Sequence, residues 1–499
     1  MKKEDDMKHK KILSLLFASV ISTAFVLAAC TPGEKGRDDS SDAGSNTNGS
    51  GTVTAAGTEK QYVDNLGEYD FKDADFVMLI WSDKKPQFIV DGPGEDVYSE
   101  AVYKRNRMIE DRFGVNLQVV EIGNNDPGQW GNHIAGVIAS GLGDYDAVFP
   151  DYWMGIETGG YYLNLHDYDD IIDFSQPYWS EGWNNNAELW GQLYSAVGAL
   201  SMEFVLQTHA VFYDRALLEG LGTTTDQFYK MVEDREWTLD KLLDYSRQAW
   251  TDSNADGTAT PEEDAVIGTT IWTIPIRGLF YSSGIKMTTL SADGEWEYGF
   301  YNDKFLSVFE KLQSFCHDPS VVVNGAVGNM FNNGQILFSL SCLYDVNHGL
   351  ADADNWALVP IPLFDENQED YIAFNHGTYY QSILKTADDP TMSAVILEAL
   401  NAESYRSVRY AFLEINFKNR FQRDEKMPEM IDLILSKVYY DFAFVNGSNL
   451  GYINDRLFDL AASSDSAATW WGANETYYKQ TLKDFQDYFK ALQNNPQSK

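Results

Sequence analysis

The spacing in this chain best able to do chemistry is Asp252-Ser253-Asn254-Ala255-Asp256-Gly257-Thr258-Ala259-Thr260-Pro261-Glu262-Glu263. It follows the twelve positions of an EF-hand-type loop. Asp252, Asn254 and Asp256 put side-chain oxygens at positions one, three and five, and Gly257 allows the sharp turn at six. Thr258 offers its carbonyl at seven, and Glu263 brings a two-oxygen carboxylate at twelve. Calcium takes six to eight hard oxygens, and this order wraps them round one ion. Ala259 stands at position eight, where a larger aliphatic residue usually pairs one loop with a second; only one loop exists here. The expectation is a single structural Ca2+ site, with an acidic Asx-rich turn as the plain alternative.

A second group could hold a sugar. Sugars present flat C–H faces ringed by hydroxyls, which Trp and Tyr stack against while Asp, Asn or Arg bind the hydroxyls. By position at strand ends and in loops, the candidates are Trp81, Asp151, Tyr152, Trp153, Trp272, Tyr281, Tyr344, Asp345 and His376. For each, a place in the core or on the surface is the plain alternative. Trp153 and Trp272 stand out because each sits beside a strand-to-loop change, whereas Trp237, Trp250 and Trp356 read as core. Catalytic signatures are missing from the sequence. His133, His166, His209, His317, His348 and His376 fall in no metal-ligand spacing, and no Gly-x-Ser-x-Gly or phosphate-loop pattern occurs. A glycosidase-type carboxylate pair stays open, since such acids lie far apart in sequence.

The elements that must position these groups alternate. Asp75–Trp81 reads as a buried strand, and residues 97–113 as a helix with Val102, Ile109 and Phe113 on one face and Gly114 as its cap. Val115–Ile122 is a strand, Trp130–Ser140 a helix and Tyr145–Phe149 a strand. This order implies parallel pairing and an α/β architecture. Ligands of open α/β sheets sit outside the carboxyl ends of strands. Trp81-Ser82-Asp83 and Asp151-Tyr152-Trp153 fall at two such ends. Farther on, Glu203–Val211 reads as extended, leading into a helix over Tyr213–Leu221. Thr238 caps a helix reaching Trp250, and Asn302–Phe315 forms another. Gln335–Leu340, Trp356–Pro360 and Tyr379–Leu384 read as strands; Thr391–Leu400, Met430–Tyr439 and Thr476–Leu492 read as helices.

The N-terminus is of another kind. Lys2, Lys3, Lys8, Lys10 and Lys11 precede an apolar run from Ile12 to Ala29 that ends Leu27-Ala28-Ala29-Cys30. A basic head, an apolar stretch and small residues before a cysteine make a lipoprotein signal peptide, with Cys30 the lipidated residue of the mature chain. Thr31 to about Thr58 is polar and Gly/Ser-rich, a flexible tether. About 440 residues remain, enough for two lobes. The net charge of −38 argues against nucleic acid as a partner, because phosphate binding needs clustered Lys and Arg. An oxidising compartment permits a Cys316–Cys342 disulfide, with two buried thiols as the alternative.

The stretch Ala210-Val211-Phe212-Tyr213-Asp214-Arg215-Ala216-Leu217-Leu218, continuing through Glu219-Gly220-Leu221-Gly222, resembles a segment of the family 1 extracellular solute-binding proteins of carbohydrate ABC importers. Trp237-Thr238-Leu239-Asp240 is similar to that family's next helix start. Glu398 to Asp441, with Ala402-Glu403-Ser404-Tyr405 and Arg423-Asp424, is similar to its clostridial, Firmicutes-type members, in which an EF-hand-like loop is frequent. A Trp-rich insertion, Pro177 to Trp190, departs from the compact sugar binders. The resemblance implies a type II periplasmic-binding-protein-like clamshell with three hinge crossings, near 203–210, 371–380 and 436–445. It divides the chain into a signal peptide (1–29), a lipidated cysteine and tether (30–65), an N-terminal lobe (66–205 plus 378–435) and a C-terminal lobe (206–377 plus 436–499). The implied function is non-catalytic: a monomer, lipid-anchored outside the membrane, closes on a sugar or oligosaccharide and delivers it to ABC permease subunits. A surface-anchored polysaccharide-active enzyme and the same clamshell holding a non-sugar solute such as a peptide are the alternatives.

Overall fold

The computed structural model describes residues 64–493, apart from 95, 124–126, 152–159, 325–329, 348–349, 351–354 and 419–423. The signal peptide, Cys30 and nearly all of the tether lie outside the described residues, as do Tyr152 and Trp153. Among the described residues no helix is long and apolar enough to cross a membrane.

Strand β1 (Ala74–Trp81) is a largely apolar run, and such runs suit the centre of a parallel sheet covered on both faces. Helix α1 (Val97–Phe113) begins at Asp96, whose side chain accepts from the N–H groups of Tyr98 and Ser99. It ends at Gly114, left-handed at φ 59°. β2 (Val115–Ile122) then pairs in parallel with β1, Ala74 opposite Val115 through Trp81 opposite Ile122. After α2 (Pro127–Ser140), the short β3 (Ala147–Val148) joins the other side, giving the order β2-β1-β3. This half follows the sequence reading closely.

A second, five-stranded sheet is built from β4 (His209–Asp214), β5 (Ile267–Ile271), β6 (Val321–Val323), β7 (Ile336–Cys342) and β8 (Trp356–Val359). Its order is β8-β4-β7-β5-β6, with β5 parallel to both neighbours and β4 antiparallel to both of its own. Leading into it, α3 (Glu203–Leu206) is one helical turn where the sequence read as extended. Four residues carry too little periodicity to decide; here Asn375 Nδ2 donates to the carbonyls of Glu203 and Phe204 and pins the turn.

Between the sheets three segments run side by side. Thr208 bridges Asn375, and β9 (Ala373–Phe374) pairs in parallel with β10 (Val438–Tyr439). Tyr379–Leu384 is not one continuous strand: single bridges tie Tyr379, Gln381, Ser382 and Leu384 to Asp151, Ala196, Val148 and Tyr162, at the edge of the first sheet. Helix α4 (Pro390–Glu403) packs on α1, whereas α5 (Met427–Leu435) packs on β8 of the second sheet. The expected 378–435 block thus touches both sheets. The helix expected over 430–439 stops at Leu435, because Val438 and Tyr439 find strand partners in β9.

Trp183 is fully buried where the crossings meet, its ring 5.5 Å from Tyr380, 5.0 Å from Tyr440 and 6.3 Å from Phe444. Trp183 of the Trp-rich stretch is therefore structural core. Cys316 and Cys342 are free thiols, not a disulfide, and burial pushes both up to about 12.

Candidate functional site

β1 ends at Trp81, and a single 3-10 turn, Ser82–Lys84, carries Lys84 over the sheet's carboxyl edge. There its Nζ lies 3.2 Å from Oε1 of Glu203 and 5.3 Å from the Tyr379 ring centre. Glu203 also accepts from Gln87 Nε2 at 2.9 Å and Gln207 Nε2 at 2.6 Å. Burial alone would lower the Lys84 pKa, but Glu203 and Asp83 beside it prevail and raise it. The ammonium is thus charged and already paired.

Across from this group stands a helix that follows β5, Thr273–Ser282, bearing Ile274 and Arg277. Arg277 pairs with Asp455 of helix Ile453–Ala461, and its guanidinium carbon lies 5.6 Å from the Phe458 ring centre. Burial raises the Asp455 pKa, while Arg277 pulls it down. Tyr452, at the start of the same helix, is left-handed at φ 53° and 40% exposed. A non-glycine residue held there is strained, and such positions cluster at binding sites.

The two walls enclose a cavity of ≈ 420 Å³. Lys84, Asp151 and Tyr379 come from the first-sheet side, and Ile274, Arg277, Tyr452 and Asp455 from the other. Glu203, Gln207 and the run His376-Gly377-Thr378 close its base at the crossings. Volumes of this order suit small-molecule sites.

At that base His209 Nε2 and His376 Nδ1 share one hydrogen bond of 2.7 Å. Burial and then the Arg277 charge hold His376 down to about 3, and burial and His376 hold His209 well below its ordinary value. Both rings are neutral at pH 7. An unfolded histidine takes its proton near pH ~6.5, so the unfolded chain is protonated first. The pair's contribution is complete above that pH and is lost as pH falls toward about 3. His376→Gln keeps a hydrogen-bonding amide that does not titrate. Urea unfolding at pH 6.5 and pH 5 should show the wild type losing about 1–2 kcal/mol more than the variant. Equal losses would remove the pair from the pH response.

Of the residues expected at a ligand site, Asp151 and His376 line this cavity. Trp81 does not: it is 1% exposed and packs 5.1 Å from Trp130 in the first lobe. Tyr281 is also core, stacked 5.0 Å from Phe374 with its hydroxyl donating to Asn454 Oδ1 at 2.9 Å. Trp272 is 62% exposed, two residues before Ile274 but outside the lining. Tyr344 and Asp345 are also outside the lining, although Tyr344 lies near enough to feel the charges of Lys84 and Glu203, and Asp345 accepts from Ser341 Oγ. The sequence reading missed Lys84, Glu203, Gln207, Arg277, Tyr379, Tyr452 and Asp455. For Lys84 a signal existed, three residues past the strand end that was singled out.

In the Asp252–Glu263 loop, Gly257 is left-handed at φ 78° and its N–H donates to Asp252 Oδ2 at 3.0 Å. Asn254 donates through Nδ2 to Asp256 Oδ2 at 3.0 Å and to Glu263. Thr258 takes part through its N–H, to Asp256 Oδ1 at 2.9 Å. Asp264, not one of the expected ligands, ties the loop by accepting from Ser253, Thr260 and Trp250. Among the described residues no group of three or more His, Cys, Asp or Glu side chains is gathered as a metal would require.

No family model and no curated protein matches the sequence. Solved structures do. The chain is similar to the ABC substrate-binding protein Lmo0181 from Listeria monocytogenes in complex with cycloalternan, at 13% identity over 85% of this chain and 99% of that one, TM-score 0.51. It is similar to the sugar-binding protein MalE from Xanthomonas citri, at 13% identity over 84% and 99%, TM-score 0.53. It is also similar to UgpB from Mycobacterium tuberculosis in complex with glycerophosphocholine, at 12% identity over 85% and 99%, TM-score 0.52. At these identities the likeness is one of fold, and the chain has the two-lobe α/β clamshell fold of the periplasmic binding proteins, with the ≈ 420 Å³ cavity between its lobes.

Proposed function

We propose that this protein is the solute-binding component of an ABC importer, taking a neutral sugar or oligosaccharide between its lobes outside the membrane and passing it to permease subunits. The observation carrying this reading is that the cavity draws its walls from both lobes and its base from the crossings, so a bound solute would be gripped by closure. Its charges come largely in pairs, Lys84 with Glu203 and Arg277 with Asp455, which gives strong hydrogen-bonding partners for hydroxyls with little net charge. Tyr379 and Tyr452 supply aromatic surface. Sugar-binding neighbours of the same fold support the class of cargo. Cys30 would hold a monomer at the membrane.

The test is a titration with a panel of linear and cyclic oligosaccharides, followed by tryptophan emission and by product analysis. One glycan class should shift the emission at one molar equivalent and be recovered intact. Cleaved glycan would make the protein an enzyme, and a response confined to peptides would replace the cargo.

For the Asp252–Glu263 loop we propose a weak structural Ca2+ site. Asp252 Oδ1 is buried with no hydrogen-bond partner, and turning the Asn254 amide would aim its oxygen toward the carboxylates it now donates to. Extracellular calcium modules bind at about 0.1–1 mM, so ~5 mM CaCl2 should stabilise the protein by about 1–2 kcal/mol in urea unfolding. Asp256→Asn with Glu263→Gln should abolish that gain. No gain in the wild type would leave the loop an acidic turn.

A further inference from the structure

A second cavity, of ≈ 150 Å³, lies on the first lobe away from the cleft. Its walls come from the Trp-rich stretch at Tyr178 and Trp179, from Val197 and Gly198, and from Phe204 and Arg409. The two cavities stand on either side of α3, where Glu203 lines the cleft and its neighbour Phe204 lines the pocket.

Arg409 is placed by unusual backbone. After α4 the helix widens into π-helical turns at Ser404–Val408 and Ala411–Lys418, and Arg409 stands between them. Such widened turns are frequent at functional sites. The Arg409 guanidinium carbon lies 5.0 Å from the Phe204 ring centre and 5.2 Å from that of Tyr405, close enough for both rings to hold the cation.

Its neighbours show what it lacks. Arg406 forks onto Glu403 at 2.7 and 2.9 Å, and Lys418 pairs with Glu414 and Asp432. Arg409, among the described residues, has two ring contacts but no hydrogen bond or ion pair, and the carboxylates of Asp432 and Glu414, already paired with Lys418, act on it only at longer range. Burial lowers its pKa, but a guanidinium stays charged at neutral pH. The cost of leaving a half-buried cation unpaired calls for an anion.

Apart from Ser180, the rest of the pocket is lined by aromatic and aliphatic residues and is closely built. Tyr178 Oη and Trp179 Nε1 both donate to the buried Glu398, at 2.5 and 2.9 Å, which leaves their rings as lining. A Cβ on Gly198 would stand 2.8 Å from the Trp179 ring and 2.3 Å from Asn401 Oδ1, so a larger residue there would displace the Trp179 wall. Cavities of about 150 Å³ hold one benzene-sized group.

We infer that this pocket binds a small carboxylic acid, the Arg409 fork taking both carboxylate oxygens and the Tyr178, Trp179 and Phe204 rings enclosing an apolar body about the size of a phenyl ring. A planar guanidinium matches a carboxylate in two parallel hydrogen bonds, and the rings exclude the water that would weaken them.

Benzoate and its neutral counterpart benzamide are the probes, titrated calorimetrically into the whole protein at low salt. Benzoate should bind saturably, and benzamide at least ~10-fold more weakly, as expected for loss of a charge-assisted pair. Arg409→Met should bring benzoate down to the benzamide level, with Arg409→Lys in between because it keeps the charge without the fork. Circular dichroism checks that each variant is folded; should the Met variant unfold, the Lys variant and the two wild-type titrations decide. Equal affinity for the two probes, benzoate binding unchanged by both substitutions, or no saturable benzoate binding would each overturn the assignment.

Discussion

Arg277→Ala should weaken solute binding by roughly 10–150-fold, the range set by about 1.5–3 kcal/mol for a hydrogen bond to a charged group. Arg277 is 14% exposed, is the one cation on its wall of the cleft among the described residues, and keeps Asp455 oriented at the rim. The alanine variant loses a donor to the solute and leaves Asp455 facing the cavity without a partner. Burial already raises the Asp455 pKa and Arg277 opposes that, so in the variant Asp455 should titrate higher still. Arg277→Lys keeps the charge but not the planar fork, and should recover only part of the affinity. Calorimetric titration with the active glycan measures both variants; wild-type affinity in the alanine form would take Arg277 out of the site.

Trp183→Ala should destabilise the protein by about 3–5 kcal/mol, the usual cost of removing a fully buried large aromatic. The effect should sit at the upper end, because Trp183 meets Tyr380, Tyr440 and Phe444 and thereby joins three stretches distant in sequence. Trp183→Phe, which keeps most of the ring, should lose about half of that. Urea unfolding with a common slope gives both values. A loss under about 1 kcal/mol for the alanine variant would mean that the crossings are held elsewhere.

The first lobe was readable because its strands and helices each bury a face through local periodicity. β2 was delimited to the residue, and Gly114 announced the end of α1 by the left-handed turn that only glycine makes freely. Legibility fell where pairing is non-local. Val438 and Tyr439 continue a helical pattern in sequence, yet Ala373 and Phe374 claim them as a strand. Tyr379–Leu384 reads as a strand but is held by bridges to four separate places.

The cleft was least legible for a related reason. Aromatic residues at strand ends drew attention, but an aromatic ring is as useful in the core, and Trp81 and Tyr281 went there. The cavity's lining is mostly charged and polar, in a chain whose net charge of −38 makes any single carboxylate uninformative. Glu203 and Asp455 acquire meaning only beside Lys84 and Arg277, which come from distant segments. The Trp-rich stretch read as an insertion that departs from the compact sugar binders, whereas Trp183 packs in the hinge core and Trp179 lines the Arg409 pocket.

The central claim is that a solute is gripped between two lobes that close on it. Small-angle X-ray scattering of the free protein and of the protein saturated with the glycan that shifts its tryptophan emission measures this directly. The account predicts a smaller radius of gyration on binding, with the glycan intact and the change lost in Arg277→Ala at the same glycan concentration. Saturation with no change in the radius of gyration, or glycan consumed during the measurement, would contradict it.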